Sequence, residues 1–165
     1  MKHADYAAKS VQELLPLESL NKAIGRKFDY AASCVAINKG NGEFEVHELP
    51  AMVQLSSMNA IQCIDVNHDG YTDIVSGGNQ FDFIPQLERL DASSGDILIN
   101  DGKGNFTRME SAQTGLNLRG ELREIAELKT KDKTYLLFLQ NDEYPLLYQL
   151  KNSSEKRIST FRSSK

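Results

Sequence analysis

The strongest constraint on the fold is an internal repeat. Ile37-Asn38-Lys39-Gly40-Asn41-Gly42-Glu43-Phe44 is matched by Ile99-Asn100-Asp101-Gly102-Lys103-Gly104-Asn105-Phe106, five of eight positions being identical at an offset of 62. Each copy sets a glycine-rich turn between an apolar run and a second extended segment, which is hairpin chemistry. The glycines supply positive φ angles, and each Phe restarts a strand toward the core. A shared pair of glycines could arise by chance, but the whole string could not.

Between the copies lies one complete unit. The pattern predicts a strand over 60–64, an acidic loop, a second strand over 72–77, a long loop over 78–94, and strands near 96–100 and 106–109. Four strands in meander order at a fixed period are the pattern of a β-propeller blade. Carried forward, the offset puts Tyr135 at the start of a strand over 135–139, and residues 146–150 supply a third. The expected fold is therefore mainly β: a partial propeller of about two blades. It counts half a blade before residue 50, one whole blade, and three strands of another.

The acidic loop carries the chemistry. Residues 65 to 73 read Asp65-Val66-Asn67-His68-Asp69-Gly70-Tyr71-Thr72-Asp73, with oxygen side chains at the first, third, fifth and ninth places. Hard cations such as calcium take about six to eight oxygen ligands, and alternate positions of a tight loop aim such oxygens at one centre. Tyr71, at the seventh place, contributes its backbone carbonyl. Three carboxylates this close repel one another unless a cation neutralises them. An ordinary Asp-Gly turn accounts for one or two of these acids, not for four donors at odd spacing. The loop is not a complete EF-hand, because Ser76 stands at the twelfth position where a bidentate Glu is needed. The following Ile74-Val75 reads as strand rather than exiting helix. In the next unit the corresponding positions are Glu127, Lys129, Lys131 and Tyr135, and two lysines exclude a second site.

The flanks differ from the middle. Over residues 1–32, Ala7, Val11, Leu14 and Leu15 recur at helical spacing, as do Leu17, Leu20 and Ile24 after Pro16. This predicts a short α-helical segment with a packing face, inserted where half a blade is missing, with a stop at Gly25. Residues 151–165 hold five basic residues and one acid, +4, and are expected to be a flexible, solvated basic tail. With a net charge of −4 overall, residues 1–150 carry −8, which opposes nucleic-acid binding. No apolar run approaches the roughly 18 residues of a membrane span. The opening Met1-Lys2-His3-Ala4-Asp5 lacks the apolar core of a signal peptide. Cys34 and Cys63 lack zinc-ligand spacing, and their apolar neighbours predict buried thiols rather than a bridge.

The Asp65–Asp73 loop, together with Ile97-Leu98-Ile99 and the turn from Asn100 to Phe106, resembles the FG-GAP/VCBS repeat family of calcium-binding β-propellers. That family pairs an Asp-x-Asx-x-Asp-Gly-x-x-Asp loop with a downstream apolar run and an Asn-Asp-Gly-x-Gly-x-Phe turn. The likeness spans roughly residues 33–150. It is similar to the C-terminal segment of large VCBS-repeat proteins of Bacteroidota, down to the Gly120-Glu121-Leu122-Arg123 start of the last unit. The resemblance implies a non-catalytic, calcium-binding scaffold for protein or glycan binding in a secreted or cell-envelope protein. It also implies further blades from a parent chain, since propellers close with about four to eight. Without them, open strand edges favour self-association.

The long loop over 78–94 offers the best candidate contact surface, through Gln80, Phe81, Phe83, Gln86, Arg89 and Asp91, unless its aromatics tuck into the core. The rival reading is part of a propeller enzyme acting on polysaccharide or ester substrates. Against it, His3, His47 and His68 stand beside no nucleophile motif, and Glu121 with Glu124 reads as a solvated edge.

Overall fold

The computed structural model describes residues 3–82, 89–151 and 159–161. The chain divides into two compact units, Met1–Ala31 and Ala32–Lys165.

The first unit holds three short helices: α1 (His3–Ala7), α2 (Val11–Leu14) and α3 (Leu17–Lys22). Ser10 opens α2, its N–H and hydroxyl both donating to Glu13 Oε2 (2.7 and 2.8 Å). Pro16, with φ −57°, opens α3, where a missing N–H costs nothing. Ala23 returns to extended backbone, so the helix stops two residues short of the predicted Gly25 and leaves Ile24 outside it. No residue of α2 or α3 is buried, so the expected packing face builds no core within this unit.

The second unit is built from three antiparallel sheets. Strands β1 (Cys34–Gly40) and β2 (Glu43–Glu48) form a hairpin over Asn41 and Gly42, both at positive φ (53° and 80°), the twist that matches two right-handed strands. A 3-10 turn at Ala51–Leu55 leads to a four-stranded sheet of β3 (Met58–Ile64), β4 (Asp73–Gly78), β5 (Asp96–Asn100) and β6 (Phe106–Arg108), in sequential order. A single turn of helix, α4 (Ser111–Thr114), precedes β7 (Leu122–Lys129), β8 (Thr134–Gln140), β9 (Leu146–Leu150) and β10 (Ser159–Phe161), again in sequential order. The segment read as a solvated tail thus supplies the fourth strand of the last sheet. The rest of that tail, 152–158 and 162–165, lies outside the described residues.

Period-two alternation divides the middle sheet between two cores. Val75 and Ile97 face Leu122, Ile125, Leu136 and Phe138 of the last sheet, while Leu116 and Leu118 from the connecting segment complete that cluster. Ile74 and Leu98 face the other way, against Leu49 and Val53 before β3 and Val35 of the hairpin. Every residue of β4 is therefore buried. The two turns agree at their Asn and second Gly positions but not throughout: Asn41 takes positive φ, whereas Lys103 does not, and β5–β6 is joined by a longer turn than β1–β2. Asn38 and Asn100 each accept a hydrogen bond from the N–H two residues on (2.8 and 2.9 Å), and Gly42 and Gly104 adopt φ 80° and 86°.

Two sequence expectations need correction. Cys34 and Cys63 are free and exposed, not buried. On a strand, sequence neighbours point to the opposite face, so the apolar residues beside each thiol argue against its burial. Glu121, read as part of a solvated edge, is only 4% exposed, whereas Glu124 is exposed.

Candidate metal centre

The acidic loop joins β3 to β4 at the end of the middle sheet that also carries the β5–β6 turn. His68 and Gly70 take positive φ (62° and 89°), which folds the loop back on itself. Asp65 Oδ1 and Asn67 Oδ1 both accept from the Asp69 N–H (3.2 and 3.0 Å), so these two oxygens converge on one point. Asp65 Oδ2 accepts from the Gly70 N–H (2.9 Å), and Asp69 Oδ1 from the Tyr71 N–H (2.9 Å). Asn67 Nδ2 donates to Asp69 Oδ2 (2.8 Å). Backbone N–H dipoles therefore relieve the repulsion that the sequence assigned to a cation alone. Desolvation pushes the Asp65 carboxyl up, but the N–H groups of Gly70, His68 and Asp69 outweigh it and hold the group below its ordinary value.

Asp73 plays a different part. It is fully buried, and each of its carboxylate oxygens is already engaged: Oδ2 accepts from the Val66 N–H (2.9 Å) and Oδ1 from the Asn100 N–H (2.8 Å). It ties the first turn of the loop to the end of β5. Two further contacts fasten the same joint. Asn100 Nδ2 donates to the Thr72 carbonyl (3.1 Å), and the Tyr71 ring lies so close over Gly102 that a Cβ there would sit 2.5 Å from it.

The donor set suits a hard cation. It is all oxygen, it alternates along a tight loop, and Asp65, Asn67 and Asp69 already turn toward one another. Asp73 keeps a second lone pair on each oxygen beyond the N–H it accepts. Among the described residues no group of three or more His, Cys, Asp or Glu side chains that could hold a metal is found, and Asp73 is turned to the backbone. The corresponding connection between β7 and β8 is a tight turn closed by Thr130 N–H to the Lys133 carbonyl (2.8 Å), with Lys129 paired to Glu127 (2.8 Å).

At the opposite end of the sheets, the long loop is closed at its neck by paired backbone bonds between Gln80 and Leu90. Arg89 stands over the Phe81 ring (4.7 Å) and pairs with Asp91 (3.0 Å). Phe83 and Gln86 lie outside the described residues.

Two residues that sequence reasoning missed organise this end. Asn79 is fully buried at φ 85°, with Nδ2 donating to the Ser93 and Gly120 carbonyls (2.9 and 3.2 Å) and Oδ1 accepting from the Ser93 N–H (2.9 Å). Its only signal was its place after Gly77-Gly78. Glu121 accepts from the Phe81 N–H (2.7 Å), Asn141 Nδ2 (3.0 Å) and Arg123 (3.3 Å). The Phe81 N–H, then Asn141, outweigh burial, and with Arg123 they hold this carboxyl below its ordinary value. Compared with known proteins, the chain matches no family model, no curated protein and no solved structure.

Proposed function

We propose that the chain is a non-catalytic, calcium-binding segment of a β-propeller, serving as a scaffold for protein or glycan binding in a secreted or cell-envelope protein. The observation that carries the reading is the Asp65–Asp73 loop, where Asp65 and Asn67 oxygens meet at the Asp69 N–H and Asp73 ties the loop to β5. Asp65, Asn67, Asp69, the Tyr71 carbonyl and Asp73 would hold the ion. Calcium would add positive charge to the backbone N–H groups that already hold these carboxylates. The residues themselves fix the turn, and through Asp73 and Asn100 they lock it to the neighbouring hairpin. Millimolar extracellular calcium suits a loop of this kind.

The blade reading is supported by two successive four-stranded meanders and by the position of the hairpin. At the repeat offset, Ala36 and Phe44 correspond to Leu98 and Phe106. Leu98 and Phe106 are packed in the core that the hairpin side covers. Phe44 and Val46 are 60% and 55% exposed on the hairpin's outer face. A further blade would cover that face as the hairpin covers the middle sheet.

Calorimetric titration of the full chain with calcium is expected to give one site. EDTA should lower the melting temperature, since a ligand held at about 100 times its dissociation constant adds about 2.7 kcal/mol. Asp69→Ala should abolish the response to calcium, and Asp101→Ala, in the β5–β6 turn, should preserve it. A second site in the β7–β8 turn, or melting indifferent to both calcium and Asp69→Ala, would defeat the reading.

A further inference from the structure

The end of the second unit opposite the acidic loop contains a cleft of about 790 Å³. Phe81 and Asp82, just after β4, form one wall. Asp142, Glu143 and Tyr144, in the turn between β8 and β9, form the other, and Glu121 lies at the base. This volume is within the range of sites that enclose a small ligand or a peptide side chain.

Acids outnumber cations on its lining, four (Asp82, Glu121, Asp142 and Glu143) to one (Arg119). Glu121 has Arg123 as partner, but Asp82, Asp142 and Glu143 have no ion pair among the described residues. Arg119, a cation on the lining, donates from Nε to Asn117 Oδ1 (3.0 Å) rather than to an acid. A recess whose lining is net negative focuses its field and raises the local concentration of the opposite ion. Anionic ligands are repelled by the same field. Tyr144 adds a second, independent feature: it is 77% exposed on the lining, next in sequence to Asp142 and Glu143. An aromatic face next to carboxylates receives a guanidinium or ammonium by combined cation–π and charge-assisted contact. The Phe81 wall already holds one such pair, with Arg89 as the cation.

We propose that this cleft is the docking site for a basic segment of a protein partner, taking an arginine or lysine side chain against Tyr144 between Asp82 and the Asp142–Glu143 turn. The inference rests on the scaffold reading and narrows its partner to a cationic peptide. It does not depend on the metal, because the acidic loop lies at the other end of the sheets.

The test is calorimetric titration of the full chain with an N-acetylated, C-amidated Gly-Arg-Gly-Arg-Gly peptide, with and without calcium. The peptide should bind in both conditions and weaken as salt is raised. Asp142→Asn combined with Glu143→Gln should weaken it by about tenfold or more. Tyr144→Ala should weaken it about two- to fivefold, the measure of an exposed cation–π contact. Asp82→Asn, on the opposite wall, repeats the charge test, and Glu43→Gln, on the β1–β2 hairpin, should change nothing. Equal affinity of wild type and the Asp142/Glu143 variant would overturn the proposal. So would equal binding of the glutamate-substituted peptide. Binding of cellohexaose in place of the arginine peptide, lost in Tyr144→Ala, would reassign the cleft to a neutral glycan. Peptide binding that survives while calcium fails to bind would sink the metal reading alone.

Discussion

Asp73 is where the structural and the metal readings can be separated. Its carboxylate is fully buried and accepts the Val66 and Asn100 N–H groups at 2.9 and 2.8 Å. Asp73→Ala removes both acceptors at once. A donor left unsatisfied in the interior costs about 1–3 kcal/mol, so two of them cost about 2–6 kcal/mol. Val66 and Asn100 are only half-buried, and water reaching them offsets part of this, which leaves an expected loss of about 2–4 kcal/mol. The measurement is urea unfolding in EDTA, where no metal contributes. In that buffer Asp69→Ala should cost under about 1 kcal/mol, because its hydrogen bonds are local and exposed. Asp73→Asn should fall between the two, since its amide offers one acceptor oxygen and turns an N–H toward the second donor. At about 2–4 °C per kcal/mol, a loss of about 3 kcal/mol lowers the melting temperature by about 6–12 °C. If Asp73→Ala and Asp69→Ala are equally mild in EDTA, Asp73 is no brace and the argument fails.

Two further outcomes follow from the other buried polar joints. A Cβ on Gly78 would lie 1.6 Å from the Ser57 carbonyl oxygen, which is backbone and cannot yield. Gly78→Ala should therefore cost about 3 kcal/mol or more in urea unfolding, and a variant within about 1 kcal/mol of wild type would contradict the close approach. Glu121 is held below its ordinary value of 4.5 by the Phe81 N–H first and Asn141 next. Its folded pKa is the lower one, so its stabilisation is present above the unfolded value and is lost as pH falls through the folded value. Glu121→Gln should flatten the acid limb of the stability profile below about pH 4.5, and an unchanged slope there would refute the assignment.

The strands were legible wherever two signals agreed. β5 and β9 fall where the sequence placed them, and β4 is shifted by a single residue, because short apolar runs there are bounded by polar residues, Gly or Pro. The offset of 62 transferred that reading to parts with weaker local signals. Faces were harder. Cys63 looked buried beside Ile61 and Ile64, yet the strand alternates and Ala60 is the residue that enters the core. The fourth strand of the last sheet was hidden by charge: Ser159, Thr160 and Phe161 form a short β-prone run inside a basic segment that reads as solvated. Asn79 and Glu121 were illegible for a different reason. Their partners lie about forty residues away in sequence, at Gly120 for one and Phe81 for the other, and no local pattern records such pairings.

Those long-range pairings assign different work to the two ends of β4. The strand is buried from Asp73 to Gly78, and the side chains of its middle, Ile74 and Val75, pack into the two cores. Each end instead carries a buried polar residue that is satisfied by backbone from another element. Asp73 holds the acidic loop to β5, and Asn79 holds the long loop to the segment before β7. Buried polar groups stabilise a single arrangement only when every partner is in place, because each unpaired group in the interior costs so much. A sheet clamped at both ends in this way keeps two connections, far apart in space, in fixed register with one core. One of them converges oxygens and the other opens an acidic cleft. The physical consequence is a rigid strand that holds both connections while contributing no side chain of its middle to either.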